Sequence, residues 1–334
     1  MGGPPAAVID DYDAALFDLD GVVYLGPVAV PGAAEAIAAL RGRGTHIGFV
    51  TNNAARPPAV VATHLVELGI PATGADVVTS AQAGAHLVLN RFGPGARVLV
   101  VGGEGVAAAL AELGLVAVWS ADDQPVAVLQ GYGFELTWQQ LNEAAVAIHR
   151  GAHWVATNTD PTRPTDRGLV PGNGAAVAAV AMAVPITPEV AGKPYRPLLD
   201  DTVARLGASR PIFVGDRLDT DIAGAQNSGL DSMLVLTGSH GAADVLAAAP
   251  AERPTHLGLD LRALLQPPLV VTVDRGVWRC GAASVSVSAS DGTLRVAGAQ
   301  PDTLTAIWAA AHAAWWLADQ GRPVDPVVRP ARPR

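Results

Sequence analysis

The chain has 334 residues, half of them hydrophobic but only 5% aromatic, with a net charge of −9 and a pI near 5.3. That length predicts two or three domains rather than one core, and the acidic balance argues against nucleic acid as a partner. A single cysteine, Cys280, excludes an internal disulfide and fits a reducing compartment. No stretch is apolar for long enough to span a bilayer, and the N-terminus lacks the basic start of a signal peptide. A cytoplasmic protein without membrane insertion is expected.

In chain order, strand-like and helix-like segments alternate as far as residue 236, the pattern of an α/β fold with a parallel sheet. Strands are predicted at 14–18, 46–51, 76–79, 97–101, 126–130, 153–157, 211–215 and 232–236. Helices are predicted between them at 32–42, 57–69, 81–91, 105–113, 137–150, 174–183, 195–206 and 219–228. Residues 81–189 carry an alternation of their own and read as an α/β lid inserted between 1–80 and 190–262; closing lids exclude water from a site. After the Gln266-Pro-Pro linker, 268–334 reads as a small α+β segment. It has antiparallel strands at 269–274, 277–288 and 293–298, a hairpin turn at Asp291-Gly292, a Trp-rich helix at about 301–319 and a Pro/Arg tail. This segment weakly resembles a fragment of an acetyltransferase fold but lacks a Gly-rich pyrophosphate loop. Dimerisation, lid support and regulation all stay open for it. Cys280 reads as a small buried hydrophobe, and Trp315 and Trp316 as packing or interface residues.

Candidate functional residues follow predicted strands, where ligands of open parallel sheets bind. The first strand delivers Asp18 and Asp20 one residue apart, and Gly21 permits a sharp exit. The pair either holds a divalent cation or caps the turn. Thr51-Asn52-Asn53 follows the second strand and reads either as a helix N-cap or as a ligand site. Lys193, the sole lysine, lies in Ala-Gly-Lys-Pro and reads either as a site that suits a compact ammonium rather than a guanidinium fork or as a leftover surface lysine. Asp216, Asp219 and Asp221 follow the strand Pro-Ile-Phe-Val-Gly; Asp219 reads as charge complementing a helix dipole. Asn158 and Asp160 read either as turn residues or as site residues. The histidines show no zinc spacing.

A carboxylate pair, a hydroxyl, an ammonium and further carboxylates suit phosphoryl transfer through an aspartyl-phosphate. Asp18 would attack phosphorus, Asp20 would act as acid and base, and Mg²⁺ would be held by Asp18, Asp216 and the Asp20 carbonyl. Thr51, the amides after it and Lys193 would hold the phosphoryl oxygens. A phosphorylatable receiver is the competing class; its acceptor lacks an acid two residues on, so Asp20 separates the two. A binding module that lost catalysis is the third.

The ordered set Asp18-Leu-Asp-Gly, Phe-Val-Thr51-Asn-Asn, Gly-Lys193-Pro and Val-Gly-Asp216-Arg-Leu-Asp-Thr-Asp221 resembles the haloacid dehalogenase superfamily over about residues 14–240. The stretch Ala-Thr157-Asn-Thr-Asp160-Pro…Pro-Gly172-Asn-Gly resembles its p-nitrophenylphosphatase/NagD-like subfamily of capped phosphatases. Departures are Ala54 where that subfamily has Ser, Phe134 near a usual Asp, and Trp138 in place of Tyr. The resemblance implies a Rossmann-like core, Mg²⁺ as cofactor, nucleophile Asp18 and acid/base Asp20. It also implies phosphate ligands Thr51, Asn52, Asn53 and Lys193, metal ligand Asp216, and Asp221 orienting a metal-bound water or the lysine. The implied partner is a small phosphorylated metabolite. Glycerol 3-phosphate leads, phosphoglycolate or a nucleotide monophosphate follows, and a homodimer stays open.

Overall fold

The computed structural model describes residues 6–165, 167–288, 292–322 and 328–330. The chain is mixed α/β and divides into two compact units, one formed by Met1–Leu25, Ala29–His46 and Ser209–Arg334, the other by Gly26–Val28 and Ile47–Ala208.

In the first unit, Pro211–Gly215 runs parallel between Ala14–Asp18 and Asp231–Val235, with Phe17 opposite Val214 and Val214 opposite Met233. His256–Gly258 adds a further parallel strand beside Asp231–Val235. Ala14 to Phe17 and Ile212 to Val214 are fully buried, the unbroken apolar run of a strand covered on both faces. Helix Ala33–Gly42 buries Ala33, Ala36, Ile37 and Leu40, one stripe at helical spacing.

The C-terminal segment belongs to this same unit. Thr272–Asp274, Val277–Cys280, Ala283–Val287 and Leu294–Ala297 form successive antiparallel pairs, and Val328–Pro330 runs parallel to the last. The run expected as one strand over 277–288 breaks at Gly281-Ala282 into a hairpin, Cys280 pairing with Ala283. Of the expected Asp291-Gly292 turn, Asp291 lies outside the described residues. Helix Leu304–Asp319 buries six alanines together with Trp308 and Trp315. Small side chains let it sit close to its neighbours. Trp308 Nε1 donates to the Leu269 carbonyl at 3.1 Å and Trp315 Nε1 to the Val245 carbonyl at 2.8 Å. Cys280 is 2% exposed and burial pushes its thiol pKa up, the behaviour of a structural cysteine.

In the second unit, His46–Thr51 pairs parallel with Val77–Thr79. A five-stranded parallel sheet has the order Glu189–Val190, His153–Ala156, Ala127–Gln130, Arg97–Val101, Val116–Val118. Its core gathers Leu99, Val128, Trp154, Ala144 and Val177. Thr162–Thr165 and Gly168–Pro171 form an antiparallel hairpin. Val116–Val118, Glu189–Val190, His256–Gly258 and the hairpin strands escape the sequence periodicity because each is only two to four residues long. Helix Ser80–Phe92 is closed by a capping box, Thr79 Oγ1 accepting from Gln82 N at 3.3 Å while Gln82 Oε1 accepts from Thr79 N at 3.1 Å.

Two helices of this unit carry a pH-sensitive pair. His86 Nδ1 lies 2.7 Å from Asp201 Oδ1, and that hydrogen bond raises the His86 pKa above its ordinary value of 6.5. A raised folded-state pKa contributes stability that is full below the ordinary value and is lost as pH rises through the folded one. Asp201→Asn is therefore expected to lower Tm more at pH 5.5 than at pH 8.5; an equal loss at both values would dissociate the pair from stability.

Candidate active site

The strand Ala14–Asp18 ends on a partly exposed Asp18, followed by buried Leu19 and exposed Asp20. A tight turn then closes, Gly21 N donating to the Tyr24 carbonyl at 2.8 Å, and Thr237 Oγ1 donates to the Gly21 carbonyl at 2.5 Å. The neighbouring strand Pro211–Gly215 is followed by Asp216, which is 1% exposed. Its Oδ2 accepts from Ser239 N at 2.6 Å. Asp221, equally buried, turns one carboxylate oxygen back to accept from Asp216 N at 3.1 Å and Arg217 N at 3.0 Å.

The expected helix from residue 219 starts instead with a π turn, Leu218–Ile222, before the α-helix Ala223–Asn227. The wider turn is what lets the Asp221 carboxylate fold back under the main chain of Asp216. Asp219 points to the exposed side and pairs with Arg217 at 2.7 Å, away from the other acids in role. His240 completes the loop, its Nδ1 accepting from Leu218 N at 2.8 Å while its N donates to the Asp216 carbonyl at 3.2 Å. Thr237, Ser239 and His240 escaped the sequence reading. They follow the strand Asp231–Val235, so the rule that sites collect at strand C-termini would have found them.

Ligand atoms of Asp18, Asp216 and Asp221 all lie within 4.8 Å of one another, the one such acidic group among the described residues. Asp20, expected to reach the metal through its carbonyl, has its carboxylate outside this side-chain group, and the carboxylate of Asp221, expected to orient a metal-bound water or the lysine, lies within it. Each pair of charges at that separation repels by about 3–4 kcal/mol at an effective dielectric near 20. Positive charge must offset this, and three hard carboxylate oxygens are the donor set that suits Mg²⁺. Space around Asp216 is also kept free. A Cβ on Gly21, whose φ is +89°, would come within 2.5 Å of Asp216 Oδ2, and one on Gly238 would collide with the same carboxylate. The acids therefore fit a divalent cation.

The second unit assembles the other expected residues. Thr51 is 4% exposed and its Oγ1 accepts from Asn53 N at 3.0 Å; Asn53 Oδ1 in turn accepts from Ala55 N at 2.8 Å. These bonds shape the loop that follows the strand His46–Thr51. Asn52 is differently employed. Its Oδ1 accepts from Lys193 N at 2.8 Å, and its Nδ2 donates to the Lys193 carbonyl at 3.0 Å and to Asp160 Oδ2 at 3.2 Å. Lys193 is 3% exposed and precedes a cis peptide to Pro194. Asn158 donates to the Asn52 carbonyl at 2.7 Å and accepts from Asp160 N at 3.1 Å. Asn52, Asn158, Asp160 and Lys193, separated by up to 141 positions, thus form one polar cluster.

Sequence comparison matches residues 15–116 to the family described as haloacid dehalogenase-like hydrolase and 190–264 to one described as HAD-hydrolase-like. The chain is 45% identical over 329 residues to D-glycerol 3-phosphate phosphatase of Mycobacterium tuberculosis, covering 98% of this chain and 91% of that one. It is similar to the crystal structure of the glycerol phosphate phosphatase of that organism in complex with magnesium, with a TM-score of 0.87, 43% identity and coverage of 98% and 95%. A 4-nitrophenylphosphatase from Thermotoga maritima matches with a TM-score of 0.72 and 29% identity, covering 78% of this chain and 98% of that one.

Proposed function

The chain belongs to the haloacid dehalogenase-like hydrolases, and we propose that it is a Mg²⁺-dependent phosphatase releasing phosphate from glycerol 3-phosphate through an aspartyl-phosphate. The observation that carries this reading is the group Asp18, Asp216 and Asp221 at the ends of parallel strands. A full-length relative that acts on D-glycerol 3-phosphate supports the substrate. Among the described residues no helix is long and apolar enough to cross a membrane.

In this reading an Asp18 carboxylate oxygen attacks phosphorus, and the bond from phosphorus to the glycerol oxygen breaks. Asp20 gives its proton to that oxygen, so glycerol leaves neutral. Asp20, now a carboxylate, takes a proton from water, and the resulting hydroxide attacks the phosphorus held on Asp18. Phosphate leaves and both carboxyl groups return to their starting states. Asp18, Asp216 and the Asp20 carbonyl would hold Mg²⁺, with the Asp221 carboxylate beside them, and the ion when bound would withdraw negative charge from the phosphoryl oxygens. Thr51 and the amide of Asn52 donate to those oxygens, the Asn53 amide being given to Thr51 Oγ1, and Lys193 offsets their charge. Residues 1–80 and 190–262 then form the catalytic core and 81–189 the lid, with 268–334 packed on the core and supplying no reacting group, in a cytoplasmic enzyme.

The test is phosphate release across phosphorylated metabolites with and without Mg²⁺. Glycerol 3-phosphate should rank first in kcat/KM and lose turnover when Mg²⁺ is chelated. A higher rank for phosphoglycolate or a nucleotide monophosphate would move the substrate assignment within the family. Lys193→Arg is expected to reduce kcat/KM by about 100-fold, because a planar fork cannot replace a compact ammonium at 3% exposure. Retention of most activity would return this lysine to an ordinary structural role.

A further inference from the structure

The polar cluster of the second unit extends past Lys193 in one direction. Helix Asn173–Ala181 starts with a side chain that is 2% exposed, and its Nδ2 donates to the Asn158 carbonyl at 2.7 Å. Asn158, 4% exposed, donates to the Asn52 carbonyl at 2.7 Å. The same carbonyl accepts from Ser80 Oγ at 2.6 Å, a hydroxyl on a fully buried residue. Asn52 then holds the main chain of Lys193 at both its N–H and its carbonyl, 2.8 and 3.0 Å away. Three side-chain amides in series therefore join the first turn of a helix to the lysine.

We propose that Asn173 and Asn158 are positioning residues that set the place of the Lys193 ammonium through Asn52. Each amide in the series donates to the main-chain carbonyl of the next member, so the Asn52 peptide is held in place and its side chain is left in the orientation that meets Lys193. That orientation grips Lys193 as a neighbouring strand would, by a matched donor and acceptor. Loss of an upstream donor leaves a buried carbonyl short of a partner, and Asn52 is then free to shift, carrying the lysine loop with it. A displacement of order 1 Å in a charge that must meet a phosphoryl group lowers the rate about 100-fold at the extreme. The inference rests on the reading that Lys193 acts at the phosphoryl group.

A double-mutant cycle read with p-nitrophenyl phosphate tests it, since that ester reports turnover whatever the natural substrate is. Asn173→Ala is expected to lower kcat/KM about tenfold or more in the parent chain and by less than about twofold in the Lys193→Met background. Its effect on Tm should be the same in both. Equal losses of kcat/KM in the two backgrounds, or no loss in the parent, would overturn the positioning role. If Asn173→Ala is poorly folded, Ser80→Ala removes only one hydroxyl from the Asn52 carbonyl, which Asn158 also bonds; about threefold in the parent and none with Lys193→Met is then expected, and equal loss in both overturns the proposal. A parent that hydrolyses no ester would instead overturn the phosphatase reading itself.

Discussion

Asp18→Asn is expected to abolish phosphate release, by about 10⁴-fold or more in kcat, while raising or preserving the Tm of the metal-free protein. The two effects have one origin. Asparagine is nearly the same shape as aspartate, so the strand Ala14–Asp18 and its turn keep their packing. Its amide is not a nucleophile, and no phosphoryl group is transferred to it. Removing its charge also removes two of the three repulsions among Asp18, Asp216 and Asp221, whose ligand atoms lie within 4.8 Å. Stability and activity should therefore move in opposite directions. Thermal melts with and without Mg²⁺ beside a phosphate-release assay measure both. Near-parental activity would refute the nucleophile; loss of Tm with loss of activity would make Asp18 a structural residue.

Removal of residues 268–334 is expected to leave no stable fragment. One apolar cluster contains Leu218, Ile222, Leu234, Val245 and Leu257 of the sheet region together with Trp278, Val285, Ala310, Trp315 and Leu317 of the C-terminal segment. Exposing even four or five of the large side chains on the sheet side costs about 1.5–3 kcal/mol each, against a total margin of about 5–15 kcal/mol for a folded domain. Arg253 adds a bidentate pair to Asp319 at 2.7 and 2.8 Å and stacks over Trp315 with its Cζ 5.5 Å from the ring centroid. Leu218 and Ile222 lie in the π turn that carries Asp221, so the loss reaches the acidic group directly. Expression of residues 1–267 followed by melting and assay decides the matter; a soluble fragment with parental Tm and turnover would show the segment to be dispensable. Trp315→Ala offers a graded version, with an expected loss of about 3–5 kcal/mol.

The reading of 268–334 as a segment outside the catalytic core therefore meets a packing fact that sequence alone could not supply. Trp315 and Trp316 within an alanine-rich helix read as packing or interface residues, and the fold buries Trp315 while leaving Trp316 exposed; hydrophobic periodicity names the buried face without naming what covers it. Tertiary contact supplies that answer: Val245 and Leu246 on the helix Ala242–Ala247 share the cluster.

Local chemistry was enough to find the α/β alternation, the main strands to within a residue or so at each end, and the acids and lysine that follow them. Those features are written in short-range terms: apolar runs, turn-forming glycines, and functional groups with no reason to sit at a strand tip otherwise. The roles within the cluster needed three dimensions. Asn52 looked like a ligand because it follows Thr51, yet its side chain is committed to the main chain of Lys193, 141 positions away. Asp221 lies with the acids in a π turn that stands at the expected helix start, and hydrogen-bond slippage of one residue leaves no mark in composition. Asn173 and Ser80 were ordinary helix-start residues until folding put their donors on the carbonyls of Asn158 and Asn52. Side-chain types and strand ends follow from nearest neighbours in the chain, whereas which donor meets which acceptor follows from loop closures over a hundred residues, and only the packed fold specifies those.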